Sequence, residues 1–564
     1  MDYMERYAFW KNAPGMPQEV IAELESVAGD QEELKSRFGS ELQFGTAGMR
    51  GIMGAGSNRL NRYTVRRAAQ GMAAWLNTTN LPKRAAIGYD SRHNSRLFAE
   101  ACAVAFAEAG IEAWVYDRLA PTPMLSYAVR TLDCGCGVVI SASHNAGAYN
   151  GVKCYGPDGC QMTDEPAKIV MEKIKTIPYF VPEEKSFADF LSQGKIHYIP
   201  QEIWERYYET VMAEAMNLDC LKDAGLEIVY TPLCGTGNEP VHAVLGRLGV
   251  KIHTVACQEK PDGDFKTCEY PNPETDAALN ESYKVARTVP CDVILGTDPD
   301  ADRLAIAVPE GDGFRKLSGN ELGCLLLDYI LKTRTERGDL PQGAEAVRSI
   351  VSSPLADRVA EHYGCKIKKV LTGFKYIGGE ILELEQAGQA DRFVFGFEES
   401  CGYLKGTYAR DKDAIVASML TCEMAASLKQ QGKTILDALH ELYARFGLYL
   451  SHVRSIELKG ADAMDQAAEM MKKLRANTPS KVAGLPVTVV DDYLPGISRD
   501  MVTGAETKID LPSSNVLELV LGGHGSVIAR PSGTEPKVKF YYTAVGTTTE
   551  EAQALLEAME KEIP

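Results

Sequence analysis

The chain has little positive charge for its length. Across 564 residues, 60 Lys and Arg stand against 77 Asp and Glu, a net charge of −17. That deficit excludes the broad basic surface that non-specific nucleic-acid binding and adsorption to anionic membranes require, though not a local cationic pocket. No apolar run approaches the ~18 residues that suggest a membrane span, and the N-terminal residues lack the basic-then-apolar layout of a secretory signal. Paired cysteines are missing too. The 14 cysteines are scattered without a CxxC, and Cys134 and Cys136 have no second pair to complete a zinc site. Many lie in apolar runs (Cys102, Cys291, Cys324), which reads as reduced core thiols in a cytoplasmic protein. There is no low-complexity linker and no clear direct repeat.

What is present is an ordinary globular mix, 45% apolar and 24% charged. At one domain per ~150 residues the length suggests about four domains. The recurring pattern is an apolar strand, a polar Gly-rich loop and a helix. Helical spacing at 64–78 and 95–109 flanks a buried-strand run at Ala85–Gly88. Further strand runs are Gly137–Ile140, Glu227–Tyr230, Val293–Leu295 and Phe393–Phe395, with helical stretches at 318–335 and 374–386 among them. This alternation predicts α/β layers with mixed or mostly parallel strands. After about residue 447, strand runs at 516–521, 526–530 and 537–543 sit only a few residues apart, before a last helix near 548–561. That predicts a smaller α+β domain with antiparallel sheet. The division drawn is 1–198, 199–315, 316–446 and 447–564.

Four loops could carry chemistry. Ser141-Ala142-Ser143-His144-Asn145 follows a strand, and Lys153 comes ten residues after Ser143. A hydroxyl beside an imidazole, with an ammonium nearby, suits a nucleophile or phosphoryl carrier; a Ser/Asn turn is the plainer reading. No GxSxG elbow points to an esterase. In Gly296-Thr297-Asp298-Pro299-Asp300-Ala301-Asp302-Arg303, three alternating carboxylates repel one another unless a hard cation neutralises them. An EF-hand would need Gly at Arg303 and Glu at Pro309, so Mg²⁺ completed by phosphate oxygens fits better than a calcium cage. Gly396-Phe397-Glu398-Glu399-Ser400-Cys401-Gly402 offers acceptors suited to a polyol such as a sugar, or is a turn with incidental acids. Arg410-Asp411-Lys412-Asp413 downstream reads equally as a charged helix start. Arg530-Pro531-Ser532-Gly533-Thr534-Glu535-Pro536-Lys537 combines a guanidinium fork, hydroxyls and an accessible backbone, a phosphate cradle or else a β-turn.

In this order and at these separations the four loops resemble the α-D-phosphohexomutase family, which includes phosphoglucomutases and phosphomannomutases. Phe44-Gly45-Thr46-Ala47-Gly48-Met49-Arg50-Gly51, Pro261-Asp262-Gly263-Asp264-Phe265, Pro271-Asn272-Pro273-Glu274 and Thr372-Gly373-Phe374-Lys375 extend the likeness over residues 44–543. The resemblance implies three similar α/β domains and a smaller C-terminal α+β domain around a central cleft. It implies Ser143 as the phosphoserine, and one Mg²⁺ held by Asp298, Asp300, Asp302 and an oxygen on Ser143. Arg50, His144, Lys153 and Arg303 fall around the transferring phosphoryl group. Glu398, Ser400, Thr372, Gly373, Lys375 and Lys412 fall to the sugar, and Arg530, Ser532, Gly533, Thr534 and Lys537 to the non-reacting phosphate. The serine loop departs from the usual Thr-Ala-Ser-His-Asn-Pro: Ser141 and Ala146 replace its outer residues, and no catalytic group is lost.

The implied activity is interconversion of α-D-glucose 1-phosphate and glucose 6-phosphate, with a sugar 1,6-bisphosphate as intermediate and activator. The only partner implied is the small phosphosugar; no nucleic acid, membrane or protein is. The Phe44–Gly51 opening is similar to a branch that also holds phosphopentomutases, so ribose 1-phosphate is the nearest alternative, followed by mannose phosphates. A Mg²⁺ phosphatase would release phosphate and have no use for a second phosphate loop. A phosphosugar sensor would have lost the serine or an aspartate, and all are present.

Overall fold

Short connections decide the topology. The computed structural model describes residues 1–45, 48–458, 463–532 and 537–563. The chain forms two units, one of Met1–Leu317, Gly378–Ala390 and Cys401–Gln431, the other of Ser318–Ile377, Asp391–Ser400 and Gly432–Pro564.

The first unit contains two related sheets. Strands β1 (Gly48–Ile52), β2 (Arg84–Tyr89), β3 (Glu112–Val115), β4 (Cys136–Ile140), β5 (Tyr149–Tyr155) and β6 (Ile196–Tyr198) lie in the order β1-β5-β4-β2-β3-β6. β4, β2, β3 and β6 run parallel, whereas β5 is antiparallel to both β4 and β1. The parallel strands β2, β3 and β4 are joined through helices Ser95–Glu108 and Thr122–Thr131. Residues 141–148 are too few for such a crossover, which takes a dozen or more, so β5 must fold back beside β4. The second sheet repeats the device. In β7 (Glu227–Thr231), β8 (Lys251–Thr254), β9 (Val293–Thr297), β10 (Leu304–Glu310) and β11 (Gly313–Leu317) the order is β11-β10-β9-β7-β8. β8, β7 and β9 are parallel, and residues 298–303 turn β10 back antiparallel. The serine and aspartate loops are thus hairpin connections at the carboxyl ends of central strands, where open α/β sheets bind ligands.

These strands form as the apolar runs predict. β4 is buried throughout, and β2 throughout apart from Arg84, the pattern of strands covered on both faces. The helices expected at 64–78 and 95–109 are Arg62–Asn77, started by an Asn61/Thr64 capping box, and Ser95–Glu108. They pack Met72, Ala103 and Phe106 against Ile87 and Val138. Three N-terminal helices, Tyr3–Lys11, Gln18–Ser26 and Gln31–Phe38, were not anticipated; they close a separate core around Trp10, Leu24, Leu34 and Phe38.

In the second unit β12 (Glu345–Ser349) pairs in parallel with β13 (Lys366–Val370) and β14 (Phe393–Glu398). β15 (Gly402–Leu404) belongs to the first unit, where Gly402 bridges Arg303. The C-terminal strands are β16 (Leu448–Glu457), β17 (Lys481–Val482), β18 (Leu485–Pro486), β19 (Val489–Asp492), β20 (Ile497–Asp500), β21 (Glu506–Lys508), β22 (Leu517–Val520), β23 (Gly525–Pro531) and β24 (Lys537–Gly546). Seven make an antiparallel sheet in the order β16-β24-β23-β22-β19-β20-β21, and β17 and β18 form a separate hairpin. The final helix is Thr549–Glu562. Ile350, Val351 and Leu371 pack against Ile528 and Tyr541 of this sheet and against Tyr493 and Val516 at the ends of its strands. Among the described residues no helix is long and apolar enough to cross a membrane.

Candidate active site

β4 ends at Ile140, and three residues on Ser143 takes the left-handed backbone region (φ +50°), which turns the loop. Its N–H donates to Ser141 Oγ (2.8 Å), so the serine standing in place of threonine keeps a use for its hydroxyl. Ser143 Oγ donates to Asp298 Oδ2 (2.7 Å) and lies 3.2 Å from His144 Nδ1. Burial, then the charges of Arg303 and Arg50, hold the His144 imidazole well below its ordinary range, so the ring is neutral. Arg50, on β1, reaches the same loop through Asn145 Oδ1 (3.0 Å).

The aspartate loop faces the serine. Asp298, Asp300 and Asp302 are buried, with one oxygen from each lying within 4.8 Å of the others. Asp298 Oδ1 accepts the backbone N–H groups of Asp302 (3.1 Å) and Arg303 (3.0 Å), which folds the loop around it. Asp300 Oδ2 accepts from Thr122 Oγ1 (2.8 Å) and Lys153 Nζ (2.5 Å). Asp302 Oδ2 meets Lys153 (3.0 Å) and Lys412 (3.2 Å). Burial, then repulsion from Asp300 and Asp302, pushes the Asp298 carboxyl well above the usual range. Burial would also raise Asp300, but Lys153 outweighs it and holds that carboxylate ionised. Conversely, burial would discharge Lys153, and Asp300 and Asp302 keep its ammonium charged.

Two atoms test whether a cation fits. Asp300 Oδ1 and Asp302 Oδ1 are buried and have no hydrogen-bond partner. Ionised oxygens stranded in this way are costly, and a hard divalent ion satisfies them with the oxygen ligands it prefers. The residues present therefore fit Mg²⁺.

Several residues of this site were not read from the sequence. Thr122 opens the helix Thr122–Thr131 and fixes Asp300. Glu274, in a segment noted only for its likeness, pairs with Arg303 (2.5 Å). The loop after β7 supports the aspartates from behind. Leu233 and Cys234 are left-handed there, Thr236 N–H donates to Pro299 O (2.8 Å), and a Cβ on Gly235 would lie 2.4 Å from Pro299 Cα. Asp90 and Arg92, directly after β2, hold the serine loop. A charged pair at the carboxyl end of an apolar strand is the signal that could have found them.

The remaining predicted residues fall as follows. In the second unit, Glu398 Oε1 accepts the N–H of Gly373 (2.7 Å), so these two sugar-loop residues are in contact. Thr372 Oγ1 nearby is buried without a hydrogen-bond partner, and the Lys375 ammonium lies 5.0 Å from the Tyr376 ring centroid. Glu399 N–H donates to Ser352 Oγ (3.1 Å), anchoring the turn before Ser400. Lys412, grouped above with the sugar loop, sits in the first unit between Asp302 and Asp411. Arg530, one residue before the end of β23, lies opposite Lys539, and Ser532 N–H donates to Lys537 O (2.8 Å). Gly533 and Thr534 lie outside the described residues.

Comparison with known proteins follows the same order along the chain. Models of the phosphoglucomutase/phosphomannomutase alpha/beta/alpha domains I, II and III match residues 41–179, 205–311 and 318–446, and that of the C-terminal domain matches 468–562. A phosphoglucomutase of Staphylococcus epidermidis (strain ATCC 12228 / FDA PCI 1200) is 36% identical over 520 residues, covering 90% of this chain and 92% of that protein. One from Staphylococcus aureus (strain USA300) is 34% identical over 516 residues, covering 90% of each. The open form of pp63/parafusin, a Paramecium phosphoglucomutase, superposes with a TM-score of 0.67 at 18% identity, covering 93% of this chain and 94% of that one. A Burkholderia thailandensis phosphoglucomutase/phosphomannomutase family protein gives 0.67 at 16% identity over 93% and 97%. These two likenesses concern the fold. The serine facing three aspartates, the order of the loops and the four successive domain matches agree, and the chain belongs to the phosphoglucomutase/phosphomannomutase family.

Proposed function

We propose that the protein is a phosphosugar mutase that interconverts α-D-glucose 1-phosphate and glucose 6-phosphate through phospho-Ser143 and glucose 1,6-bisphosphate. The observation that carries this reading is the Ser143 hydroxyl, bonded to Asp298 at the edge of a buried three-carboxylate cluster. The phosphoglucomutase relatives support the choice of sugar.

In the first half-reaction the Ser143 Oγ–P bond breaks and a bond forms from phosphorus to the 6-hydroxyl oxygen of glucose 1-phosphate. The hydroxyl proton passes to the neutral His144 imidazole as that bond forms, and the imidazole, whose Nδ1 lies 3.2 Å from Ser143 Oγ, returns a proton to that oxygen as its bond to phosphorus breaks. The bisphosphate then reverses in the site and returns its 1-phosphoryl group to Ser143. The protein contributes position and charge, since phosphoryl transfer leaves little covalent work to side chains. Arg50, Lys153, Arg303 and Lys412 bring cations to the serine and aspartate loops. Glu398 and Ser400, with Thr372, Gly373 and Lys375, take the sugar hydroxyls. Arg530, Ser532, Gly533, Thr534 and Lys537 take the phosphate that is not reacting.

Asp298, Asp300 and Asp302, with an oxygen on Ser143, would hold Mg²⁺, which would neutralise charge on the phosphoryl oxygens. We read the chain as four domains, 1–198, 199–315, 316–446 and 447–564. We also read it as cytoplasmic, supported by fourteen cysteines none of which is in a disulfide.

The test is turnover of a hexose and pentose 1-phosphate panel with Mg²⁺ and a trace of glucose 1,6-bisphosphate, alongside intact-mass analysis. Glucose 1-phosphate should give the highest kcat/KM, and Ser143→Ala should lose both the phosphate and nearly all turnover. Wild-type turnover in Ser143→Ala would refute the carrier, and a higher kcat/KM for ribose 1-phosphate would refute the substrate.

A further inference from the structure

Three backbone carbonyls of the serine loop, and that of Tyr149 where β5 begins, converge on one side chain. Arg92 Nη2 donates to Ser143 O (2.6 Å) and to Asn145 O, while Nη1 donates to Ala146 O (2.8 Å) and Tyr149 O (3.0 Å). The guanidinium is fully buried. Its Nε lies 3.3 Å from Asp90 Oδ2, and Asp90 Oδ1 accepts the Arg92 N–H (2.9 Å) and the Ser95 hydroxyl (2.7 Å). The ring of Phe265, itself left-handed (φ +49°) and buried, has its centroid 5.0 Å from the Arg92 guanidinium carbon. Phe265 closes the Pro261–Phe265 segment, which the mechanism above leaves without a role.

That segment is packed backbone to backbone with the other two loops. A Cβ on Gly147 would lie 2.8 Å from Gly263 O, and one on Gly263 would lie 2.7 Å from the His93 N. His93 Nε2 meets Asp264 Oδ1 at 2.6 Å. Residues 90–95, 143–149 and 261–265 therefore form one clamp. Its purpose follows from the backbone. Residues 141–148 leave the β4 ladder, so their carbonyls need other partners, and a buried carbonyl without one is costly. Ala146 stands where the family pattern has proline, so the loop lacks that ring's restriction of φ and depends on contacts from outside.

We infer that Arg92 is the positioning residue of the phosphoryl carrier: by holding the Ser143 carbonyl, two others of its loop and that of Tyr149, it fixes the line along which Ser143 Oγ presents its phosphoryl group to the incoming hydroxyl. This deepens the proposed mutase reaction and rests on it. The planar guanidinium directs parallel N–H groups at separated acceptors; a lysine ammonium is a single point and cannot span the four. A loop relaxed by about 1 Å still accepts phosphate but transfers it poorly, a loss of about a hundredfold.

The experiment uses the full-length enzyme and three variants, Arg92→Lys, Arg92→Ala and Phe265→Leu, each charged with glucose 1,6-bisphosphate. Arg92→Lys should reach one phosphate per chain by intact mass, so its molecules are folded and competent, while kcat falls about a hundredfold and KM for glucose 1-phosphate stays within threefold. Millimolar ethylguanidinium should restore at least tenfold of the turnover lost in Arg92→Ala, which a simple loss of folded protein would not allow. Phe265→Leu keeps every hydrogen bond and should lower kcat about tenfold; it decides the matter if the Arg92 variants do not fold. Hydrogen exchange of residues 142–149 should quicken at least tenfold in the variants, whatever sugar is turned over. Wild-type kcat in Arg92→Lys and Phe265→Leu, or unchanged exchange in that loop, overturns the inference. A wild-type enzyme that takes no phosphate from glucose 1,6-bisphosphate refutes the mutase reading instead, and the exchange measurement still judges the clamp.

Discussion

Replacing Gly402 by alanine should damage catalysis through Lys412. The Gly402 backbone takes an ordinary negative φ, so alanine is conformationally permitted there, but its Cβ would lie 2.1 Å from Lys412 Cδ and 2.7 Å from Cγ. Ordinary carbon–carbon contact is ~3.5–4.0 Å, so the lysine stem must retreat by about 1.5 Å. Its ammonium now lies 3.2 Å from Asp302 Oδ2, and a retreat of that size breaks the contact. A hydrogen bond to a charged group is worth ~1.5–3 kcal/mol, so kcat/KM should fall roughly 10- to 150-fold. The fold should survive, because Lys153 still pairs with Asp302 at 3.0 Å. The assay is kcat/KM for glucose 1-phosphate in a double-mutant cycle with Lys412→Ala. Once the long stem is gone the added methyl has nothing to displace, so Gly402→Ala should cost almost nothing further in that background. Activity within twofold of wild type, or an equal cost in both backgrounds, would refute the steric argument.

Metal removal and pH give two further checks. Chelation should abolish turnover and added Mg²⁺ should restore it, while Asp300→Asn should lower turnover at limiting Mg²⁺ by about a hundredfold or more; full activity in that variant removes Asp300 from the metal site. Glu518 is half-buried beside Asp491, and desolvation, then that neighbour, raises its carboxyl above the ordinary range despite Arg348 and Lys369, while the Tyr493 hydroxyl donates to it at 3.1 Å. A folded-state pKa above the unfolded ~4.3 means the folded chain holds a proton the unfolded chain has lost. The stability tied to that proton is complete below ~4.3 and drains away as pH rises through the folded value. Glu518→Gln should therefore gain Tm over wild type as pH goes from 4.5 to 8, and an equal Tm difference at both ends would show that Glu518 is not the titrating group.

The elements themselves were legible in sequence because each depends on neighbours a few residues away. The runs at Ala85–Gly88, Gly137–Ile140 and Val293–Leu295 became β2, β4 and β9 with ends shifted by one or two residues, and those at 516–521, 526–530 and 537–543 became β22, β23 and β24, while β16 to β21 were not anticipated. The serine and aspartate loops were legible for the same reason: polar residues directly after buried strands are placed at sheet ends by the strands alone. The antiparallel partners β5 and β10 were less visible, because the sequence shows a strand and a loop length but not which neighbour the strand joins. The N-terminal helices were missed because their apolar faces close on one another, Trp10 against Phe38 and Leu24, rather than on the sheet pattern being followed. What only tertiary structure decided was which distant groups share one buried volume. Ser143 meets Asp298 across 155 residues and Lys153 meets Asp300 across 147. Arg92 went unread in the sequence, and only the fold turns four carbonyls toward it. Lys412 reads as a helix-start charge until Gly402 leaves it a path to Asp302. Periodicity fixes an element through contacts along the chain, whereas a site is made by low-dielectric contacts between elements, and those depend on packing that no local pattern encodes.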